Sequence, residues 1–461
     1  MDRVGLRYVA GGAAVPTVGA DGLPDAPSAV VDPDRPGGAG TALERGPSTP
    51  GPKCAAVADL GAWAASGAMC LTGRPDGPPM AAPGDPAGAV RRALARVAEA
   101  TRRRTGALPT LPDVRLLGER AAIAGLRRNG PWSCGGAFRL LPTADGWWGV
   151  SLPRPEDVEM VPALVEDDDP GDPWEAVARW ARGVASADAV ARGRLLGLPC
   201  CDPASVDRSR PGVVARQGGR RFPRERPRVV DLTSLWAGPL CAHLLGLGGA
   251  EVVKVEGRHR PDGSRRGPRA FLDLLHGGHA MVAVDFHDPD AVARLRDLVA
   301  SADLVLEASR PRALARLGLD ADALVDKGVS WLSITARGRD CDAVGFGDDV
   351  AAGAGLVVED GGELFPCGDA LADPLTGVAA AAAAAEALLS ERAALIDVSM
   401  HHVCAEFSGP PVPHEVVRRA DRWWVAWDGG EAVVADPVPR MPLRPAGELG
   451  ADSERILDGL R

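Results

Sequence analysis

An aspartate directly before proline can cap a helix or present a carboxylate for chemistry, and two such sites stand out, Asp85 in PGDPAG and Asp373 in ADPLTG. As an N-cap, Asp accepts hydrogen bonds from orphan backbone N–H groups, and Pro at the first helical position leaves no N–H to satisfy. The same helix terminus keeps a carboxylate ionised and leaves N–H groups to stabilise a developing oxyanion. Capping and catalysis are therefore compatible at Asp373. Upstream lies Gly347-Asp348-Asp349. Without a histidine there, Asp348 serves as a base near neutral pH only if its pKa is raised.

These residues need elements to position them, and the clearest lies at 228 to 256, RVVDLTSLWAGPLCAHLLGLGGAEVVKVE. Val229, Val230 and Leu232 predict a buried strand, Ala237-Gly238-Pro239 a turn without bulky side chains, Leu240 to Leu247 a helix, and Val252, Val253 and Val255 the next strand. Small residues at such a turn let a ligand approach the backbone, and the helix behind it offers N–H groups suited to phosphates. The G-x-G-x-x-G pattern of dinucleotide-binding folds does not follow this strand, so a nicotinamide enzyme is not expected.

This segment resembles the opening of the family III CoA-transferases. The likeness continues through Asp262 and Arg265, through VAVDFHDPDAVARLRDLVASADLVLEASRPRALARLGL (282 to 318), and through FPCGDALADPLTG (365 to 377) to LIDVSM (395 to 400). The resemblance implies an α/β fold, with a Rossmann-like large domain on a parallel sheet and a smaller α+β domain. It also implies that Asp373 is the nucleophile that attacks an acyl-CoA thioester and then carries CoA as an aspartyl thioester. Coenzyme A as substrate implies basic partners for its phosphates, for which Lys254, Arg258, Arg265 and Arg316 are the candidates. Trp236, Ala237 and Gly238 would line the mouth, with Trp236 shaping the acyl pocket. Ala308-Ser309 and His279-Ala280 depart from the family's usual Asn-Phe and Lys-Arg pairs. Neither a metal nor a redox cofactor is implied.

Length and composition bound the alternatives. At 461 residues the chain has room for more than one core. A net charge of −10 argues against general nucleic-acid binding, and local clusters such as Arg102-Arg103-Arg104 read as solvated helix faces. Nine cysteines without a CxxC pair suit reduced thiols in a cytoplasmic protein. The apolar run from Val378 to Leu389 is too short to span a bilayer, so no membrane association is expected.

The order of parts departs from the family's. Residues 1–50, rich in Gly, Pro, Ala and Asp, read as an irregular arm. Residues 51–219 read as a partial large-domain repeat plus the small α+β domain. The segment 58–88 resembles the approach to the reactive aspartate, as 347–377 does. An amphipathic helix is predicted over 86–105, a hairpin at Phe138-Arg139-Leu140 and Trp147-Trp148-Gly149-Val150 turning at Asp145-Gly146, and a helix over 174–196. TADGWW and ADAVARGRLLGLPCC (187 to 201) resemble the family's small domain, here placed before the large one. After a linker at Arg220–Pro227, residues 228–408 read as the CoA-binding large domain and 409–461 as a tail packing on it. The chain thus reads as permuted, or as a fusion of two incomplete copies.

Three functions follow: a CoA-transferase acting on an acyl-CoA and a carboxylic acid, an acyl-CoA racemase using Asp373 with Asp348, or a non-catalytic partner protein. The resemblance further implies a homodimer with interlocked chains, or an interlock satisfied within the one fused chain.

Overall fold

The computed structural model describes residues 59–309 and 311–459. The irregular arm expected over 1–50 and Arg310 of the SRPRALARLGL loop lie outside the described residues. Seven strands build the main sheet: β1 (Val213–Arg220), β2 (Arg228–Asp231), β3 (Glu251–Gly257), β4 (Ala280–Val284), β5 (Leu304–Glu307), β6 (Ser330–Thr335) and β7 (Arg392–Ser399). Their spatial order is β1-β7-β6-β5-β2-β3-β4. All neighbours are parallel except β1, which pairs antiparallel with β7.

Unbroken apolar strands are what a sheet covered on both faces requires. Along β2, Val229 joins one core cluster and Val230 the other, and along β5 Leu304 and Leu306 face one way and Val305 the opposite way. The result is a mixed α/β architecture centred on a mostly parallel sheet.

Six helices place the groups of interest: α1 (Pro86–Thr105), α2 (Glu119–Ala124), α3 (Ala237–Leu247), α4 (Gly347–Gly353), α5 (Ala372–Ala387) and α6 (Met400–Phe407). The predicted amphipathic helix is α1, with Val90, Leu94 and Val97 buried and Arg91 and Arg92 exposed. The alanine-rich α5 packs against both α1 and α3, because its short side chains let neighbouring helices come close. At that crossing a Cβ on Gly377 would lie 2.7 Å from the Ala237 carbonyl oxygen.

Several boundaries differ from the sequence expectation. The helix following β2 begins at Ala237, so Ala237-Gly238-Pro239 is its first turn rather than the connection before it. Proline is compatible with that turn, where its missing N–H has no intrahelical partner. The connection is instead Leu232–Trp236, with Leu235 in the left-handed region at φ 69°. The helix expected over 174–196 is two, Pro173–Ala181 and Ser186–Leu195, interrupted around Gly183. Arg220–Pro227 is tied down, since Arg220 ends β1 and the buried Arg221 reaches Asp303 at 3.3 Å.

The predicted hairpin pairs Phe138–Pro142 with Trp147–Ser151, and Cys200–Cys201 adds a third strand. Another three-stranded sheet, Glu415–Arg419, Arg422–Trp427 and Gly430–Val433, was not expected. At the far edge, Asp452 and Ser453 accept the N–H groups of Met281 and Ala283, and Ile456 and Leu457 bury beside β4. Among the described residues, no helix is long and apolar enough to cross a membrane.

Candidate functional site

Asp373 does not cap α5. The helix starts one residue earlier, with Leu371 in the cap position, and Asp373 lies within its first turn. Its N–H bonds to the Ala370 carbonyl at 2.9 Å. By contrast Asp85 does cap α1, accepting from Gly88 N–H at 3.1 Å and from Arg92 at 2.7 Å.

Three further elements converge on Asp373. The Ala237 N–H, at the start of α3, donates to its carboxylate. From α4, Asp348 accepts the Ala370 N–H at 2.9 Å, so Ala370 bonds to Asp348 and to Asp373 from its two backbone groups. Ala370 does so with φ 43°, a conformation that costs an L-residue roughly 1–2 kcal/mol. Gly347 completes the fit: a Cβ there would lie 2.2 Å from Asp373 Oδ2 and 2.3 Å from the Ala370 oxygen.

The third element, α2, supplies Arg120. Its Nε donates to Asp369 Oδ2 at 3.0 Å and its second nitrogen pairs with the other oxygen. The same guanidinium lies 5.2 Å from the centre of the Trp236 ring, which meets Phe271 edge-on at 5.6 Å. Trp236 is only 4% exposed.

Electrostatics separates these carboxylates from ordinary ones. Loss of hydration pushes Asp373 up to about 7, with Arg120 opposing the change and Asp348 adding to it. Asp348 is raised to about 6, by burial first and by Asp369 second. Asp349, which accepts from Ser151 Oγ at 3.0 Å and from Phe346 N–H at 2.9 Å, is raised to about 7 by burial. A carboxylate near 7 is ionised often enough to attack and protonated often enough to act as an acid.

The predicted phosphate ligands fall into two kinds. Lys254 is 0% exposed, 3.0 Å from Asp262 and 3.7 Å from Asp231, and it also donates to the Thr233 carbonyl. Arg265 is bidentate on Glu256, with contacts of 2.6 and 2.8 Å. Both cations thus already face internal carboxylates. Arg258, directly after β3, and Arg316, at the end of the helix Pro311–Arg316, are exposed. Gly238 has a packing role, since a Cβ there would meet Thr233 at 2.2 Å.

The structure therefore brings Trp236, Ala237 and Asp373 together, places Lys254 and Arg265 in a neighbouring network through Leu235 and Asp262, and leaves Arg258 and Arg316 on the surface. Sequence reasoning missed Arg120 and Asp369. Asp369 sits within the quoted FPCGDALADPLTG stretch, whereas Arg120, in LLGERAAIAG, carries no local signal. A groove of about 630 Å³, lined by Arg92, Arg96, Leu375, Glu386 and Phe407 among others, does not include Asp373. Among the described residues, no three His, Cys, Asp or Glu side chains are arranged to hold a metal ion.

Residues 226–422 match the family model described as CoA-transferase family III, the family that the sequence resembles. The chain is 29% identical over 191 residues to a succinate–glutarate CoA-transferase of Agrobacterium fabrum, covering 37% of this chain and 48% of that one. It is 31% identical over 150 residues to a succinyl-CoA–D-citramalate CoA-transferase of Chloroflexus aurantiacus, covering 29% and 36%. The match thus spans less than half the length of either relative. A solved structure of the hypothetical protein Rv3272 from Mycobacterium tuberculosis aligns at 28% identity with a TM-score of 0.40, over 46% of this chain and 65% of that one.

Proposed function

We propose, from the family III match over residues 226–422, that this chain transfers CoA from an acyl-CoA to a carboxylic acid, with Asp373 as the covalent nucleophile. The observation that supports this most is the placement of Asp373: within the first turn of α5, past its cap position, and facing the Ala237 N–H at the start of α3.

In this reading the ionised Asp373 attacks the thioester carbonyl, forming a mixed anhydride and expelling CoA thiolate. The thiolate attacks the aspartyl carbonyl of the anhydride, giving an aspartyl-CoA thioester and releasing the donor acid. The acceptor carboxylate then attacks that thioester, and the thiolate takes the new acyl group from the second anhydride. Asp373 emerges unchanged, and no net proton or electron is consumed. The Ala237 N–H is the donor that would stabilise oxyanion character at the aspartyl group. Arg258, at the C-terminal end of β3, is the exposed cation suited to a CoA phosphate. A homodimer, interlocked between chains or within one fused chain, belongs to the same reading.

One observation favours a second reading. Asp348, raised to about 6, has the ionisation that a second acid–base group beside Asp373 would need, as in a racemase at the acyl α-carbon. Intact-mass measurement with a panel of acyl-CoAs, using Asp373→Ala as control, tests the choice. A CoA adduct at Asp373 supports transfer. Solvent deuterium entering the acyl α-position without an acceptor acid and without an adduct supports racemisation, and neither signal despite CoA binding supports a non-catalytic partner.

A further inference from the structure

Arg120 lies far outside the segment that matches the family model, yet it is the cation that faces Asp373. The groups around that carboxylate are Arg120 from α2, Asp348 from α4, Asp369 from the loop before α5, and Cys404 from α6; Cys134 lies beside Asp348, Asp369 and Arg120. Both thiols are pushed up by burial and stay neutral. Three carboxylates therefore share one guanidinium.

Its position is fixed on two sides. The fork to Asp369, itself 1% exposed, sets the guanidinium plane, and the Trp236 ring at 5.2 Å supports the same group. Trp236 immediately precedes Ala237, whose N–H meets Asp373. A displaced Arg120 would thus disturb both the charge beside Asp373 and the wall opposite it.

We infer that Arg120 is a positioning residue for Asp373: gripped by Asp369 and backed by Trp236, it supplies the positive charge that keeps this carboxylate available in its ionised form. The inference rests on the functional reading of Asp373 given above. Asp369 has two effects in it, orienting the guanidinium while drawing on its charge.

The test is a carboxyl ¹³C NMR titration of aspartate-labelled full-length protein, with the Asp373 resonance assigned through Asp373→Asn. In the unsubstituted protein the midpoint of Asp373 is expected near 7. Arg120→Gln is expected to raise it by about one pH unit, Arg120→Lys to restore most of the difference, and Asp369→Asn to lower it. A general loosening of the fold would not move the midpoint in opposite directions. An Asp373 midpoint unmoved in Arg120→Gln overturns the inference, and where that variant fails to fold, a midpoint that Asp369→Asn does not lower overturns it. The readout needs no acyl-CoA: a shifted midpoint without a CoA adduct sinks the transferase reading alone, and an adduct with unmoved midpoints sinks the role of Arg120 alone.

Discussion

Two groups of carboxylates lie near the start of α3, one buried throughout and one partly open, and they are balanced differently. In the first, Asp231, Asp262 and Glu256 meet two cations, Lys254 and Arg265. In the second, Asp348, Asp369 and Asp373 share Arg120. Burial works to push Asp231, Asp262, Asp348 and Asp373 up. At Asp262 the nearby Lys254 and several N–H donors outweigh burial and hold the carboxyl below its ordinary range, whereas at Asp231 burial wins over the same ammonium and raises it. At Asp373 one shared guanidinium does not suffice, and the carboxyl stays near 7. Charge balance thus distinguishes a network with two cations from one with a shared guanidinium, the second being the group to which the proposed chemistry is assigned.

The sharpest break of this contrast is at Asp373, the proposed nucleophile. Asp373→Asn is expected to reduce CoA transfer by at least about 10³-fold in steady-state kinetics while the protein stays folded, because an amide cannot form the anhydride. At the balanced network the effect falls on stability instead. Lys254→Met leaves Asp231 and Asp262 buried without their ammonium and is expected to cost about 3–5 kcal/mol in urea denaturation. A loss there much smaller than at Arg120→Gln would reverse the assignment of the two groups.

Gly347→Ala probes the second group through shape. Its Cβ would lie 2.2 Å from Asp373 Oδ2, against backbone as well as carboxylate. A stability loss of about 1–3 kcal/mol is expected, with a lower rate of adduct formation.

Ionisation gives a pH-dependent counterpart. Asp348 rises to about 6 in the folded chain, so between its ordinary unfolded value and 6 the folded state holds a proton that the unfolded state has lost. Its contribution to stability is complete below about pH 4 and lost as pH rises through 6. Asp348→Asn is therefore expected to be the more stable protein at pH 8, by about 1–2 kcal/mol given the partial exposure of the side chain, with the gap closing near pH 4. Equal stability at both pH values would remove Asp348 from the uncompensated group. The smallest effect is at Ala370→Gly, where relief of the left-handed conformation is expected to change thermal stability by no more than about 1 kcal/mol.

What was legible in the chain follows from range. The β2–α3–β3 unit, α1 and the hairpin are written in local periodicity and turn residues, and they appear within a few residues of the expected places. Asp373 was visible through its motif, but its position in the first turn was not, because the cap falls on Leu371, a residue type that capping preferences do not favour. Lys254 and Arg265 were visible as cations, while their commitment to Asp262 and Glu256 depends on a loop returning across β3. Arg120 was invisible because its partner Asp369 is 249 residues away. The three-stranded sheet over 415–433 was missed beside the stronger signals of the main sheet, its strands being short and partly exposed.

β1 has a further consequence. It precedes the family-matched segment, yet it covers the outer edge of β7 from Val398 to Arg392 with antiparallel hydrogen bonds. A chain cut at residue 226 would leave β7 with a bare row of backbone N–H and C=O groups, a template for strands of neighbouring molecules. The stretch before the family match thus supplies the terminal strand of the main sheet, independently of any part it takes in chemistry.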